Sequence, residues 1–177
     1  MSFLSFEIKA RCSDPARIRK ILLVRGARFK GLDHQIDTYF RVPDGRLKLR
    51  EGNIEKALIY YKRIDRKNSK RCDSTLFHCS EKTPLKKILT RTLGVLTVVD
   101  KKREIYFIRN AKFHMDRVKR LGNFIEIEVF GPVRAATKLK KRCEFYQKLL
   151  GIRTKDLVAD SYSDQLLKAR KRATGNG

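Results

Sequence analysis

No run of apolar residues in this sequence approaches the roughly 20 needed for a helix to cross a bilayer, so a helical membrane span is excluded. The opening stretch, MSFLSFEIKA, is broken by Glu7 and lacks the uninterrupted apolar core of a signal peptide. Cysteine is sparse: Cys12, Cys72, Cys79 and Cys143 include no Cys-x-x-Cys pair, which argues against a zinc ribbon or a dithiol redox centre. Reduced thiols are expected, with Cys72 and Cys79 the one pair close enough in sequence to meet across a hairpin. These absences together predict a soluble protein, cytoplasmic in the first instance. The basic run Lys168 to Arg172 reads as a solvated helix end and leaves a nuclear address open.

Acidic residues are also few. Against 43 Lys and Arg stand 19 Asp and Glu, a formal charge of +24 that implies an anionic partner, phosphate being the obvious one. Basic surfaces attract nucleic acid through counterion release whatever its sequence, so a nucleic-acid partner stays open on charge alone. The chain's 177 residues, 41% of them hydrophobic, are enough for one buried core and too few for two, which predicts a single domain over 1–172, monomeric or homodimeric, and a flexible tail over 173–177.

What is present is alternation. Phe3 to Arg11 sets Leu4, Phe6 and Ile8 against Ser5, Glu7, Lys9 and Arg11, the period of a strand. Asp14-Pro15 offers an N-cap and a proline at the first helical position, and Ile18, Ile21 and Leu22 continue a short helix up to Gly26. Strands follow at 35–42 and 46–50 around the turn signal Pro43-Asp44-Gly45, then at 57–64 and 72–79, separated by an exposed loop at Arg66 to Lys70. A capped helix is expected from Pro84 to Leu93, two strands at 96–99 and 103–108, and two more at 112–118 and 122–130. Helices over 134–150 and 162–172 complete the chain.

The polar faces of these strands carry charge rather than the Ser, Thr and Gln of a solvated sheet. Lys9, Arg46, Lys48, Arg50, Lys62, Arg103 and Lys112 supply bases from at least five strands, and Glu7, Asp116, Glu126 and Glu128 supply acids from three. Taken singly, each such residue reads as surface. Taken together, the acids on the first and last strands with bases between them have no explanation in solvent exposure. An antiparallel barrel sends one face inward, and a charged interior calls for a highly charged, hydrated ligand such as a polyphosphate. Arg forks and Lys point charges match phosphate oxygens, and paired carboxylates collect Mg²⁺ or Mn²⁺.

At these residues the sequence resembles the CYTH, or triphosphate tunnel metalloenzyme, superfamily, which includes class IV adenylate cyclases, thiamine triphosphatase and inorganic triphosphatases. Ser5-Phe6-Glu7-Ile8-Lys9 sits where the family has Glu-x-Glu-x-Lys. Gln35 to Phe40, Gly45 to Arg50 and Leu58 to Lys62 resemble its next strands, and Lys101 to Tyr106 fits a Lys-x-Arg-x-x-Tyr pattern. Phe113 to Val118, Leu121 to Glu128 and Asp160 to Asp164 are similar to the class IV cyclase branch.

The resemblance implies an α+β fold: a closed antiparallel eight-stranded barrel, the triphosphate tunnel, with flanking helices. It also implies Glu7, Asp116, Glu126 and Glu128 as ligands of Mg²⁺ or Mn²⁺, and Lys9, Lys48, Arg50, Lys62, Arg103 and Lys112 as the triphosphate grip, Arg46 having joined the set by strand alternation. Lys9 and Arg103 are the candidate catalytic residues. The expected activity is metal-dependent hydrolysis of a nucleoside, thiamine or inorganic triphosphate, with cyclisation of ATP to cyclic AMP and pyrophosphate as the alternative. Ser5 replaces the first carboxylate of the signature, and with it a non-catalytic module for polyphosphate or RNA ends stands as a reading of another class.

Overall fold

The twelve principal elements were traced in a computed structural model that describes residues 3–64, 71–79 and 83–175. In chain order they are β1 (Phe3–Arg11), α1 (Pro15–Val24), β2 (Arg28–Phe40), β3 (Arg46–Glu51), β4 (Lys56–Ile64), β5 (Arg71–His78), α2 (Leu85–Leu93), β6 (Val95–Ile108), β7 (Ala111–Val118), β8 (Gly122–Pro132), α3 (Ala136–Leu149) and α4 (Tyr162–Thr174). The strands form one antiparallel sheet, ordered β1-β8-β7-β6-β2-β3-β4-β5, that curls into a half-barrel. The expected closed barrel is corrected in one respect. The edges β1 and β5 approach within 8 Å between Cα atoms, but no ladder joins them among the described residues. Among the described residues β5 forms a ladder with β4 only, so no ladder sets its outer edge in register with β1.

Local chemistry explains the element ends. The Asp14 carboxylate accepts from the Arg17 N–H at 2.9 Å and Pro15 opens α1, while Gly26 leaves the helix at φ +74°, a conformation that costs glycine little. The β2–β3 hairpin turns through Gly45 at φ +66°. A capping box starts α4: the Ser161 hydroxyl accepts from the Asp164 N–H at 3.1 Å and Asp164 accepts from the Ser161 N–H at 3.2 Å.

Three expectations change. The strands foreseen at 96–99 and 103–108 are one, β6, because Lys101 and Lys102 keep the alternation, one facing inward and buried, the other outward and exposed. Strand β2 starts earlier than Gln35, at Arg28. The foreseen tail begins inside α4, which runs on to Thr174. The loop expected over 66–70 lies outside the described residues, as does the side chain of Cys72. Cys12, Cys79 and Cys143 are free thiols. No helix among the described residues is long and apolar enough to cross a membrane.

The sheet has two apolar layers. On the outer face, Tyr106, Phe113, Met115, Ile125, Ile127 and Val129 pack against Ile18 and Leu22 of α1 and Leu139, Cys143 and Tyr146 of α3. On the inner face, at one end only, Tyr39, Tyr61, Val99, Val118 and Phe124 surround Tyr162 of α4, which plugs that end. Between the plug and the opposite mouth the interior is polar. Phe113 anchors the outer layer, fully buried and edge-on to Tyr146 at 4.9 Å between ring centroids. Phe113→Ala is expected to cost about 3–5 kcal/mol in urea unfolding; a loss under about 1 kcal/mol would show that α3 does not rest on this ring.

Candidate active site

Cross-strand register decides which charges face inward. Arg103 on β6 stands opposite Asp33 on β2 and Asp116 on β7; Asp37 on β2 stands opposite Arg50 on β3; His114 on β7 stands opposite Glu126 on β8, which stands opposite Lys9 on β1. Because successive side chains alternate, these positions share one face. Lys9, Asp37, Lys101, Arg103, Asp116 and Glu126 are all buried there.

Arg103 lies at the centre. It donates to both oxygens of Asp116, from Nε at 2.6 Å and from Nη2 at 2.5 Å, and from Nη2 to Glu126 at 2.7 Å. The Tyr162 hydroxyl donates to Asp116 at 2.8 Å, so both oxygens of that carboxylate are committed. Glu126 also meets the Lys9 ammonium at 3.2 Å and His114 Nδ1 at 3.3 Å. Burial pushes the Glu126 carboxyl up, but Arg103, Lys9 and His114 outweigh it and hold the group well below the usual range. Burial, reinforced by the Arg103 charge, pushes His114 down to about 4; the ring is neutral near pH 7 and its Nε2 has no partner.

A second cluster centres on Asp37. It accepts from Lys48 at 3.0 Å, from Arg50 Nε at 2.8 Å and Nη2 at 2.9 Å, and from Lys101 at 2.8 Å. Burial works against its ionisation, and the three cations together hold it well below the ordinary range. One carboxylate shared by three cations leaves positive charge in excess. Burial, with Arg50, Arg103 and Lys48 adding to it against Asp37, lowers Lys101 to about 7.

Toward the mouth, Glu55 on the β3–β4 turn accepts from Arg50 at 2.8 Å, Lys112 at 3.0 Å and Gln35 at 3.1 Å. Its turn is tied down by Asp33, which accepts from the Ile54 and Glu55 N–H groups at 2.9 and 3.1 Å. Glu7 and Glu128 face each other across the β1–β8 rung. Burial first and the Glu7 charge second raise the Glu128 carboxyl above its usual value.

Most of the expected residues converge, with two departures. Lys62 is on the outer face: Arg46 pairs with Tyr61, which points inward, so its neighbour points out, half exposed and ion-paired with Asp44 of the β2–β3 turn. The four expected metal ligands do not form one cluster. Among the described residues no three His, Cys, Asp or Glu side chains are arranged to hold a metal ion, because Arg103 occupies Asp116 and much of Glu126. Arg46 does face inward but at the plugged end, donating to Ser161 Oγ at 2.7 Å and Asp164 at 2.9 Å. A cavity of about 270 Å³ opens beside it, lined by Tyr39, Phe40, Leu96, Ser163 and Leu167.

Sequence reasoning passed over Asp33, Asp37, Glu55, Lys101 and Tyr162. Two of them carried a signal: Asp37 is in phase with Gln35 and Tyr39, and Lys101 is in phase with Arg103.

A curled eight-stranded half-barrel with a charged interior defines a tunnel-type fold, and the sequence matches the CYTH domain over residues 5–162. The chain belongs to the CYTH domain family. Its fold is similar to that of the PH1012 protein from Pyrococcus horikoshii OT3, at 26% identity and a TM-score of 0.80, covering 90% of this chain and 98% of that one. A candidate adenylate cyclase from Vibrio parahaemolyticus matches at 17% identity and a TM-score of 0.73, covering 93% and 98% of the two chains. A candidate adenylyl cyclase from Hippeastrum with a dominant triphosphatase activity matches at 12% and 0.64, covering 95% and 96%. No curated protein matches the sequence.

The Lys101 site makes a pH prediction. Its folded pKa is lowered to about 7 from 10.5, so between these values the unfolded chain binds the extra proton and stability rises with pH. The contribution is fully present above the unfolded value and is lost as pH falls through about 7. The melting temperature should therefore rise between pH 7 and 8.5 relative to that of Lys101→Met, which leaves Asp37 paired with Lys48 and Arg50. Parallel pH profiles for the two proteins would show that Lys101 stays charged throughout.

Proposed function

We propose that this protein is a metal-dependent enzyme that binds an organic or inorganic triphosphate in its half-barrel and cleaves a phosphoanhydride bond by hydrolysis. The observation that carries this reading is the convergence of Lys9, Lys48, Arg50, Arg103 and Lys112 from four strands on one enclosed face. A polyphosphate is the common ligand whose charge density matches that set. Membership in the CYTH family supports it, as does likeness in fold to a Hippeastrum protein described by its triphosphatase activity.

The family implies a divalent metal, and the residues fit one. Glu7 and Glu128 form a rung of like charge whose repulsion a cation would relieve, and Mg²⁺ is characteristically held by one or two carboxylates together with substrate phosphates rather than by an all-protein cage. Glu7 and Glu128 would hold Mg²⁺ or Mn²⁺, with Glu126 beside them, and Asp116 would act through Arg103 instead. The metal would supply neutralisation of charge on the phosphate oxygens.

The chain's own groups do the rest. Arg50 and Lys112 exchange the Glu55 carboxylate for a phosphate group, as their present bonds already mimic a phosphate contact. Arg103, fixed by Asp116 and Glu126, keeps its guanidinium in one orientation and stabilises charge that develops at phosphorus without reorganising. Lys9, held between Glu126 and the Tyr162 ring at 4.5 Å, acts as a second fixed cation.

Incubation with ATP, thiamine triphosphate and tripolyphosphate in Mg²⁺ or Mn²⁺, with separation of all products, tests the reading. Diphosphate plus phosphate is the expected outcome; cyclic AMP plus pyrophosphate would make the protein a cyclase, and binding without turnover a non-catalytic module. Glu128→Gln should leave the metal-free melting temperature unchanged or raise it, because a repulsive rung is relieved, while abolishing any shift produced by Mn²⁺ and cutting turnover at least ten-fold. An undiminished Mn²⁺ shift in this variant would remove Glu128 from the metal site. Ser5→Glu adds a carboxylate about 6.5–7 Å along the same strand face from Glu7. It should lower the metal concentration for half-maximal activity; an unchanged requirement would place Ser5 outside the site.

A further inference from the structure

Among the described residues, the cations inside the half-barrel have carboxylate partners: Lys9 with Glu126, Arg46 with Asp164, Lys48 and Lys101 with Asp37, Arg50 with Asp37 and Glu55, Arg103 with Asp116 and Glu126, Lys112 with Glu55; Arg11, exposed at the end of β1, donates instead to the Leu121 carbonyl and to Gln165. The tunnel thus accounts for almost none of the formal +24, which lies on the outside.

Outside, the charge is organised on α3. Leu139, Cys143, Tyr146 and the following Leu150 are the buried stripe of that helix. Lys138, Lys141, Phe145 and Lys148, spaced i, i+3, i+7 and i+10, form a second stripe that is exposed throughout, and Arg134 on the preceding turn extends it. None of these four cations has an acidic partner among the described residues, and Glu144 is the single acid of the helix. Phe145 is 55% exposed yet held in place, its ring 5.4 Å from that of Tyr146, which is anchored against Phe113. Phe145 adds little to the core from there, whereas a rigid aromatic face among unpaired cations is the arrangement that takes an unpaired base together with its backbone phosphates.

We propose that the outer stripe of α3 is a docking face for single-stranded nucleic acid, separate from the tunnel. Lys138, Lys141, Lys148 and Arg134 contact phosphates and Phe145 stacks on one base. From residue 138 to 148 the stripe runs about 15 Å, the length of roughly four stacked nucleotides. Duplex nucleic acid offers the same phosphates but no free base face, so single strands are preferred. The assignment does not depend on the reaction in the tunnel.

The test is fluorescence anisotropy of a labelled 12-nucleotide oligouridylate with a 5′-hydroxyl end, which carries no triphosphate for the tunnel, against the full chain at several salt concentrations. The expected result is binding that weakens with salt. In Lys138→Glu/Lys141→Glu the slope of log K against log salt should fall by about 1.4, at roughly 0.7 per phosphate contact on a single strand. Phe145→Ala should weaken binding roughly five-fold or more at an unchanged slope. Both variants should keep the parent melting temperature and the parent response to tripolyphosphate, whether binding or turnover. Oligouridylate binding unaltered by the double charge reversal, displaced by tripolyphosphate at matched ionic strength, or no tighter than binding of a hairpin duplex would overturn the proposal. If tripolyphosphate is neither bound nor turned over by any form while the oligouridylate results hold, the tunnel reading fails and the α3 assignment stands.

Discussion

Arg103 reaches two buried carboxylates, Asp116 and Glu126, and pairs with both. Burying a carboxylate with no partner would cost several kcal/mol. The guanidinium fork solves the problem by geometry, since its planar donors satisfy both acids at 2.5–2.7 Å from one position on β6. Lysine there would give one point charge and lose the two-pronged contact with Asp116. The arrangement fixes more than itself: Asp116 receives Tyr162, which seats α4 against the barrel end, and Glu126 receives Lys9, which ties β1 to β8.

Buried ion pairs of this kind are weak evidence of stability, because desolvation offsets much of the attraction. Their value here lies in preorganisation. The cations of the interior are already aimed at oxygen atoms and already stripped of water, so a phosphate that replaces Glu55 pays little in reorientation. The same arrangement limits affinity, since an incoming anion competes with resident carboxylates and gains only the difference between them. Asp37 is the resident that is hardest to displace, being buried on three sides by Lys48, Arg50 and Lys101, whereas Glu55 sits at the mouth on a turn.

Much of this was legible in the sequence. The alternation from Phe3 to Arg11, the turn at Pro43-Asp44-Gly45 and the Glu126-Ile127-Glu128 pair fix strands, and strands fix faces. What a single strand does not reveal is register across turns. Lys62 reads as inward both as one of the charged strand positions and by likeness to a family strand, but the Gly52–Glu55 turn sets Ala57, Ile59 and Tyr61 inward, and a shift of one residue sends a side chain to the opposite face. Asp37 was passed over for a related reason. An aspartate between Gln35 and Tyr39 looks solvated until the hairpin lays Arg50 beside it. Alternation puts the four carboxylates on one face but does not disclose that Arg103 lies between Asp116 and Glu126. The closed barrel was overstated because pairing at the β1–β5 edge is written in neither strand alone.

The conspicuous excess of base over acid invites the thought that it exists to hold the substrate, and the pairing of the interior argues otherwise. Interior cations and acids sit within 3.2 Å of one another, in a region where salt screens them little, so their mutual attraction changes slowly with ionic strength. The unpaired lysines on α3 face water, where charges further apart than a Debye length of about 8 Å are largely screened at physiological salt. One chain therefore carries two electrostatic regimes. A phosphate chain drawn into the half-barrel meets fixed, preorganised cations whose grip depends on geometry, while a polyanion lying along α3 meets a diffuse field whose grip depends on salt. Sensitivity to ionic strength, rather than total charge, is what separates the two surfaces physically.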